Sequence, residues 1–341
     1  MNPIIDDDDI PISNFVNTRK RVNNKNTSLK GKVCLGLCCI NNGLRKFKDH
    51  NGKKQEIFCS RGTPRSHFTV ERAKSLALLN IADISKLVDW NIDNGINHLR
   101  LSSEIFPHFT DKETESYTLD FAIDALQKAG EHCNKVKHRI TMHPGQYNQV
   151  GAKNPDVFDS TVSDLSMHAD ILDYMNIDNS GILCVHGGGI YGDKDSAIRR
   201  WIEQFDDLPT KVKRRLAIEN DEKCYSLRDC LLVSEACKIP VIYDTHHHDC
   251  YHNHYHKSAP EEEVEDLVEE VVESWRGVDP VFHIAEQDVN KPQIGAHSQF
   301  VEVIPQHLLD IPEKYDIKIN IEVEAKAKEA AILKLMKKYS L

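Results

Sequence analysis

Residues 182–189, ILCVHGGG, carry the pattern that decides the fold of this chain, a short apolar run ending in a polar residue and glycines. Similar runs end in polar side chains in RITMHPGQY at 139–147, LAIEND at 216–221 and VIYDTHHHD at 241–249. Short apolar runs bounded by turn residues and separated by longer helical stretches are typical of buried strands. The pattern therefore predicts parallel strands with polar groups at their carboxyl ends.

Eight strand candidates follow along the chain, at 33–37, 98–101, 139–142, 182–185, 216–218, 241–243, 281–284 and 317–323. Helical periodicity fills most of the gaps, for example at 70–94, 119–132, 156–175, 227–237 and 261–275. Strands that alternate with helices predict βαβ units, and eight units predict one closed (β/α)8 TIM barrel of the α/β class. An open doubly wound sheet is the alternative.

The barrel is expected to occupy residues 31–341, preceded by a disordered tail at 1–30. The tail starts with the acidic run Asp6 to Asp9 and continues with the basic, Asn-rich stretch NTRKRVNNKNTSLK at 17–30. Few large apolar residues are available there to build a core. The basic stretch suits a solvated linker, a localisation signal or an arm that contacts DNA.

The net charge of −10 argues at first against a nucleic-acid partner. However, residues 1–10 and 261–273 together hold twelve acids and no base, and the rest of the chain has 43 bases against 41 acids. Ten cysteines without a CxxC pair predict reduced thiols in an intracellular protein. No stretch approaches the roughly 20 apolar residues of a membrane span, and the acidic start predicts no secretion signal.

Metal-ligating residue types cluster at the strand ends and in the loops that follow them. They are His143, His186, Glu219, Asp244, His247, His283, His297 and Glu324. Because active sites of α/β barrels form at the carboxyl ends of the strands, these side chains are expected to meet at one rim. Imidazole and carboxylate ligands suit Zn²⁺ or Mn²⁺, and Glu219 is a candidate to bridge two ions.

Other patterns carry weaker signals. A single strand-end histidine is commonly a packed residue, but so many at successive strand ends favour a site. HGGG at 186–189 resembles an esterase oxyanion loop, yet no GxSxG motif accompanies it, and no GxGxxG motif indicates a nucleotide cofactor. The tract YHNHYH at 251–256 is expected to be an exposed loop, with a secondary metal site as the alternative.

The motifs resemble the ultraviolet damage endonuclease family, a relative of endonuclease IV and of the xylose-isomerase-like barrels. LGLCCIN, RLSS, MHPGQY, VHGGG, IEND, DTHHH, AHS and EAKAKE occur in the family's order over about residues 31–330. The resemblance implies a DNA repair endonuclease that hydrolyses the phosphodiester bond 5′ to ultraviolet photolesions, namely pyrimidine dimers and 6-4 photoproducts. It implies double-stranded damaged DNA as the partner, with no membrane or protein partner inferred.

The resemblance also implies two or three divalent metal ions, with Mn²⁺ expected and Zn²⁺ or Mg²⁺ as alternatives. His143, His186 and Glu219 would bind one ion, and Glu219, Asp244, His283 and Glu324 a second, while His247 and His297 would help to hold a third. Glu219, Asp244 and Glu324 are the catalytic carboxylates in this scheme. Val281 stands where the resemblance implies a lysine, two residues before His283, so the third ion would lack that neighbour.

Gln146 and Tyr147 are the candidates for probing the lesion. They follow His143 across Pro144 and Gly145, which favour a sharp turn that would project the pair from the metal site. Asn41 and Arg100 are further candidates for DNA contact or support of the site. Three rival functions remain at this point: a general abasic-site endonuclease, a metal-dependent sugar isomerase or epimerase on the same barrel, and a non-enzymatic sensor of DNA damage.

Overall fold

Eight parallel strands form a closed barrel in the computed structural model, which describes residues 29–48, 51–258 and 264–341. The described residues form ten strands in all, β1 (Val33–Cys38), β2 (Phe47–Lys48), β3 (Lys54–Gln55), β4 (His98–Leu101), β5 (Arg139–Met142), β6 (Leu183–His186), β7 (Leu216–Glu219), β8 (Val241–Asp244), β9 (Val281–Ile284) and β10 (Ile319–Val323). The barrel order is β1-β10-β9-β8-β7-β6-β5-β4, while β2 and β3 form a separate antiparallel hairpin. The predicted TIM barrel is confirmed, and the tail predicted at 1–30 lies almost entirely outside the described residues.

Helices connect the strands on the outside of the barrel. They are α1 (Asn42–Arg45), α2 (Val70–Asp93), α3 (Ile123–Lys135), α4 (Pro155–Tyr174), α5 (Lys194–Asp206), α6 (Thr210–Lys213), α7 (Leu227–Cys237), α8 (Thr245–Cys250), α9 (Val264–Ser274), α10 (Gln306–Lys314) and α11 (Glu329–Tyr339). Several begin at side chains that satisfy their free amides, such as Thr69 before α2 and the capping box of Ser226 and Asp229 at α7. None of the described helices is both long and apolar enough to cross a bilayer.

Side chains alternate along each barrel strand between the helices and the barrel interior. On β10, Ile319, Ile321 and Val323 are buried in the apolar core, whereas Glu322 contacts side chains of β4, β5 and β9 across the interior. The apolar core therefore lies between the strands and the helices, and the interior of the barrel holds polar groups beneath the carboxyl-terminal rim.

The tract at 251–256 is not the exposed loop that its polarity predicts. It continues α8 as a π-helical turn, Tyr251–Tyr255, in which Tyr251 and His254 are buried. The Tyr251 ring stacks on His256 with centroids 4.0 Å apart, and its hydroxyl lies 2.6 Å from Lys194 Nζ. Polar residues are buried here because they find partners within the fold, which polarity alone does not reveal.

Candidate metal centre

Glu219, the last residue of β7, lies at the centre of the predicted ligands and is only 1% exposed. Its Oε2 lies 2.8 Å from His143 Nε2 and 3.5 Å from His186 Nε2. Its Oε1 lies 2.7 Å from His283 Nδ1. Because the two carboxylate oxygens face different histidines, Glu219 has the arrangement of a ligand that can bridge two cations.

Glu324 follows β10 and extends the cluster along the rim. Its Oε1 lies 3.8 Å from His283 Nδ1, and its Oε2 lies 3.5 Å from His297 Nε2. Arg100 on β4 donates a hydrogen bond to the same carboxylate. His283 is therefore placed between Glu219 and Glu324, and Arg100 places a positive charge beside the outer carboxylate.

Asp244 and His247 approach from β8 and α8. Asp244 caps α8, because its Oδ1 accepts a 2.8 Å bond from the His247 amide, and Asn220 fixes its backbone with two bonds of 2.9 and 3.0 Å. His247 Nδ1 lies 3.0 Å from the Asn220 carbonyl oxygen. Since a carbonyl only accepts, a neutral His247 carries its proton on Nδ1 and offers Nε2 as the ligand atom.

The surroundings of the histidines in the cluster shift their pKa values in opposite directions. Burial lowers the pKa of His186 to about 3. Burial would also lower the pKa of His247, but Asp244 and Glu219 outweigh it and raise the value to about 10. Burial would raise the pKa of Glu219, yet His283 and His186 hold it well below its ordinary range. An ionised carboxylate among histidines is a cation site in which protons and metal ions compete.

Glu322 lies beneath the rim in the barrel interior and was not among the predicted site residues. Its carboxylate accepts a 2.5 Å bond from Thr141, and it lies 3.0 Å from His98 Nε2, 3.1 Å from Arg100 Nη1 and 3.0 Å from His283 Nε2. His283 thus touches a carboxylate through each ring nitrogen. A carboxylate behind a histidine fixes the orientation of its ring, and Glu322 is placed to do this for His283.

Cys184 is a second residue that the sequence did not single out. Its buried Sγ lies 3.0 Å from Glu219 Oε2. Burial and the neighbouring Glu219 raise the pKa of this thiol well above its ordinary value. The neutral thiol therefore acts as a hydrogen-bond donor that fixes the carboxylate from below.

The cluster opens into a cleft of about 360 Å³ at the carboxyl ends of the strands. Its lining comprises Cys39, Arg100, His143, Pro144, Gly145, Gln146, His186, Glu219, Glu222, His247, Gln293, Ile294, Gly295, His297 and Glu324. Most of the predicted ligands line this cleft, whereas Asp244 and His283 lie deeper and are fully buried. Residues 293–295 come from the loop after β9 and carried no recognisable sequence signal.

The predicted DNA-contacting residues occupy different environments. Gln146 lines the cleft and is exposed, and Tyr147 is 62% exposed on the same turn. Arg100 lines the cleft as well. Asn41 is 1% exposed and caps α1 through a 2.9 Å bond from the Leu44 amide to its Oδ1, so the structure places it in a supporting position rather than on the cleft surface.

Divalent cations fit this donor set. Two groups, His143–Cys184–Glu219–His283 and His186–Glu219–His247, each bring their ligand atoms within 4.8 Å of one another. Within the described part of the chain, Asp244 Oδ2 is buried and has no hydrogen-bond partner. A buried carboxylate oxygen of this kind is costly unless a cation or proton compensates it. Val281, by contrast, is a buried apolar residue on β9 and offers no ligand atom.

The chain matches the family model of UV-endonuclease UvdE over residues 33–341. A UV-damage endonuclease of Schizosaccharomyces pombe is 32% identical over 318 residues, covering 90% of this chain and 51% of that protein. A protein of Acanthamoeba polyphaga mimivirus is 31% identical over 318 residues, covering 90% of this chain and 91% of that protein.

Solved structures agree with these sequence matches. SacUVDE aligns with a TM-score of 0.74 and 26% identity over 90% of this chain and 99% of its own. Endonuclease IV of Thermus thermophilus aligns with a TM-score of 0.50 and 12% identity, covering 75% of this chain and 94% of its own, which shows a shared fold. The resemblance inferred from the motifs is confirmed: the chain belongs to the UV-endonuclease UvdE family.

Proposed function

We propose that the chain is a metal-dependent DNA repair endonuclease that hydrolyses the phosphodiester bond 5′ to ultraviolet photolesions in double-stranded DNA. The observation that carries the proposal is the cluster around Glu219, where histidines at or just after three other strands surround one buried carboxylate at the barrel rim. Membership of the UV-endonuclease family supports the choice of DNA as the substrate.

His143, His186 and Glu219 would hold one divalent ion, and Glu219, Asp244, His283 and Glu324 would hold a second. His247 and His297 are the candidates to hold a third, with Mn²⁺ as the expected metal. Divalent ions at such sites polarise a phosphodiester and lower the pKa of bound water, which supplies the nucleophile at neutral pH.

Residues beneath the cleft and one residue that lines it have separate tasks in this scheme. Glu322 keeps His283 facing the rim, and Cys184 steadies Glu219 from below. Arg100 lines the cleft and can meet a phosphate while it remains close to Glu324 and Glu322. Positioning of this kind lets the site favour the transition state without reorganisation during the reaction.

Gln146 and Tyr147 supply the proposed lesion recognition. A phosphate held at the rim leaves the damaged bases inside the duplex, so the enzyme must open the stack and fill the gap. The exposed Tyr147 ring offers a stacking face, and Gln146 can bond the edges of the orphaned bases. Damaged pairs are easier to open than intact ones, which makes the energy of opening a source of selectivity.

The double substitution Gln146→Ala and Tyr147→Ala is expected to lower nicking at a defined pyrimidine dimer by at least about tenfold. The reason is that stacking on one aromatic ring contributes roughly 1–3 kcal/mol per base. The measurement is the single-turnover nicking rate of a duplex with one dimer, accompanied by metal content and melting temperature. Metal content should match the wild-type protein, and the melting temperature should fall only modestly, since one hydrogen bond from the Tyr147 hydroxyl to Asp164 is lost. Undiminished nicking would remove the pair from lesion recognition.

An abasic-site duplex in the same assay separates the rival nuclease function. A general abasic-site endonuclease would cleave that duplex and leave the dimer duplex intact. A sugar isomerase or epimerase would cleave neither, and a sensor would bind damaged DNA without nicking it.

A further inference from the structure

The turn that bears Tyr147 is anchored to α4 by the buried carboxylate of Asp164, which is 1% exposed. Asp164 Oδ2 accepts a 2.8 Å bond from Asn148 Nδ2, and Oδ1 accepts a 3.3 Å bond from the Tyr147 hydroxyl. The hydroxyl of Thr110, in the loop after β4, also donates to Oδ1 at 2.8 Å. One carboxylate thus joins three segments of the rim: the loop after β4, the turn after β5 and helix α4.

Burying the carboxylate of Asp164 costs free energy, so its neighbours must compensate it. Among the residues that the structure describes, the basic side chain within ion-pair distance of Asp164 is His168, whose Nδ1 lies 3.4 Å from Asp164 Oδ2. This histidine is itself fully buried, and burial lowers its pKa, so it is a neutral neighbour near pH 7. A buried carboxylate without a charged partner is tolerated only where hydrogen-bond donors surround it. Those donors include the Tyr147 hydroxyl itself.

The Tyr147 ring is braced from a second side by the backbone of Gly145. A Cβ atom placed on Gly145 would lie 2.4 Å from Tyr147 Cε1, so the ring rests directly on the glycine. Asn148 closes the turn by donating from its amide and from Nδ2 to the Gly145 carbonyl, at 3.0 and 3.1 Å. The ring is therefore fixed at its hydroxyl and along one side, while 62% of the residue remains exposed.

We infer that Asp164 is a positioning residue for lesion recognition, which holds the Tyr147 ring in its DNA-contacting orientation before DNA binds. The inference rests on the proposed function, because it assigns the fixed ring to the damaged duplex. Immobilising a flexible side chain on binding costs affinity, and a ring that is already held avoids that cost. Asp164 therefore acts on the preference for damaged DNA through Tyr147 and does not touch the DNA or the metal ligands.

Tyr147→Phe separates positioning from stacking. The variant keeps the aromatic ring and removes only the hydroxyl that Asp164 holds. We expect its preference for damaged DNA to fall about fivefold, because the freed ring must be ordered again when the damaged duplex binds. The preference is the ratio of affinities for a dimer-containing duplex and the matched undamaged duplex. It is measured by fluorescence anisotropy with the metal-loaded protein, on duplexes whose linkage at the expected nick is non-hydrolysable so that nothing is cleaved.

Asp164→Ala should lower the same ratio by a similar factor, and the double variant with Tyr147→Phe should fall no further than Asp164→Ala alone. Non-additivity of this kind is the signature of two groups that act through one contact. Asp170→Ala is the matched control, since Asp170 lies on the same helix and pairs with Lys211 at 2.6 Å, and it should leave the ratio unchanged.

A wild-type protein without any preference for the dimer duplex would overturn the proposed function. A wild-type preference that survives in Tyr147→Phe would overturn the role of Asp164 alone. Additive losses in the double variant would also overturn it, because Asp164 would then act independently of Tyr147. Tyr147→Phe changes an exposed side chain, so its result decides the matter even if Asp164→Ala fails to fold.

Discussion

Replacing Glu219 by alanine is expected to reduce DNA cleavage by about a thousandfold or more while DNA binding is largely retained. Glu219 touches His143, His186 and His283, so its removal takes away the group that joins the two proposed ion sites. Metal ions stabilise transition-state charge by several kcal/mol, and each 1.4 kcal/mol corresponds to about tenfold in rate. The loss should therefore fall on the chemical step rather than on binding.

Single-turnover cleavage, DNA affinity and metal stoichiometry measured on the same preparation test this expectation. Glu222→Ala is the control, because Glu222 lines the same cleft and carries the same charge without belonging to either candidate ligand group. Its effect on the rate should be much smaller. Cleavage at the wild-type rate by Glu219→Ala would show that the carboxylate does not bridge ions.

Glu322→Ala is expected to produce the largest loss of stability among single changes at the site, about 3–5 kcal/mol in the free energy of unfolding. The substitution leaves Arg100 and His283 facing a buried cavity without their shared carboxylate. It also removes the carboxylate that accepts from the Thr141 hydroxyl, which then keeps His98 Nε2 at 2.9 Å as its neighbour. Arg100 then keeps Glu324 and His283 keeps Glu219 close by, and these buried groups stay desolvated with one compensating charge fewer.

Urea unfolding of the metal-free protein provides the measurement, so that altered metal binding does not enter the result. Asn320→Ala is the matched control, since Asn320 lies two residues earlier on β10 and is also buried in the interior. It is expected to cost about 1 kcal/mol, the central value for point substitutions. Equal losses of unfolding free energy in the two variants would mean that Glu322 contributes through packing and not through its charge.

The barrel was predictable because its signal is local. Each strand is a short apolar run with a polar end, and chain order alone then places the ends of parallel strands at one rim. Val281–Ile284 and His98–Leu101 were predicted with the bounds that the structure shows. The strand predicted at 317–323 begins instead at Ile319, because apolar character continues beyond the residues that pair with β1.

The contacts of Glu322 across the barrel interior could not be predicted from the sequence in the same way. Glu322 lies two positions before Glu324 in the same predicted strand, but its partners come from β4, β5 and β9. Which residues meet across a barrel depends on strand register and tilt, and a single sequence does not specify these. Asp164 was hidden for the same reason, since it sits in a helix and acts on a turn 17 residues earlier.

The most direct test of the account is nicking of irradiated and unirradiated supercoiled plasmid by the purified protein, with Mn²⁺, Mg²⁺ or a chelator. A metal-dependent endonuclease specific for photolesions should nick the irradiated plasmid with Mn²⁺, leave the unirradiated plasmid supercoiled, and lose activity on exhaustive chelation. Equal nicking of both plasmids, or nicking that survives chelation, would contradict the central claim.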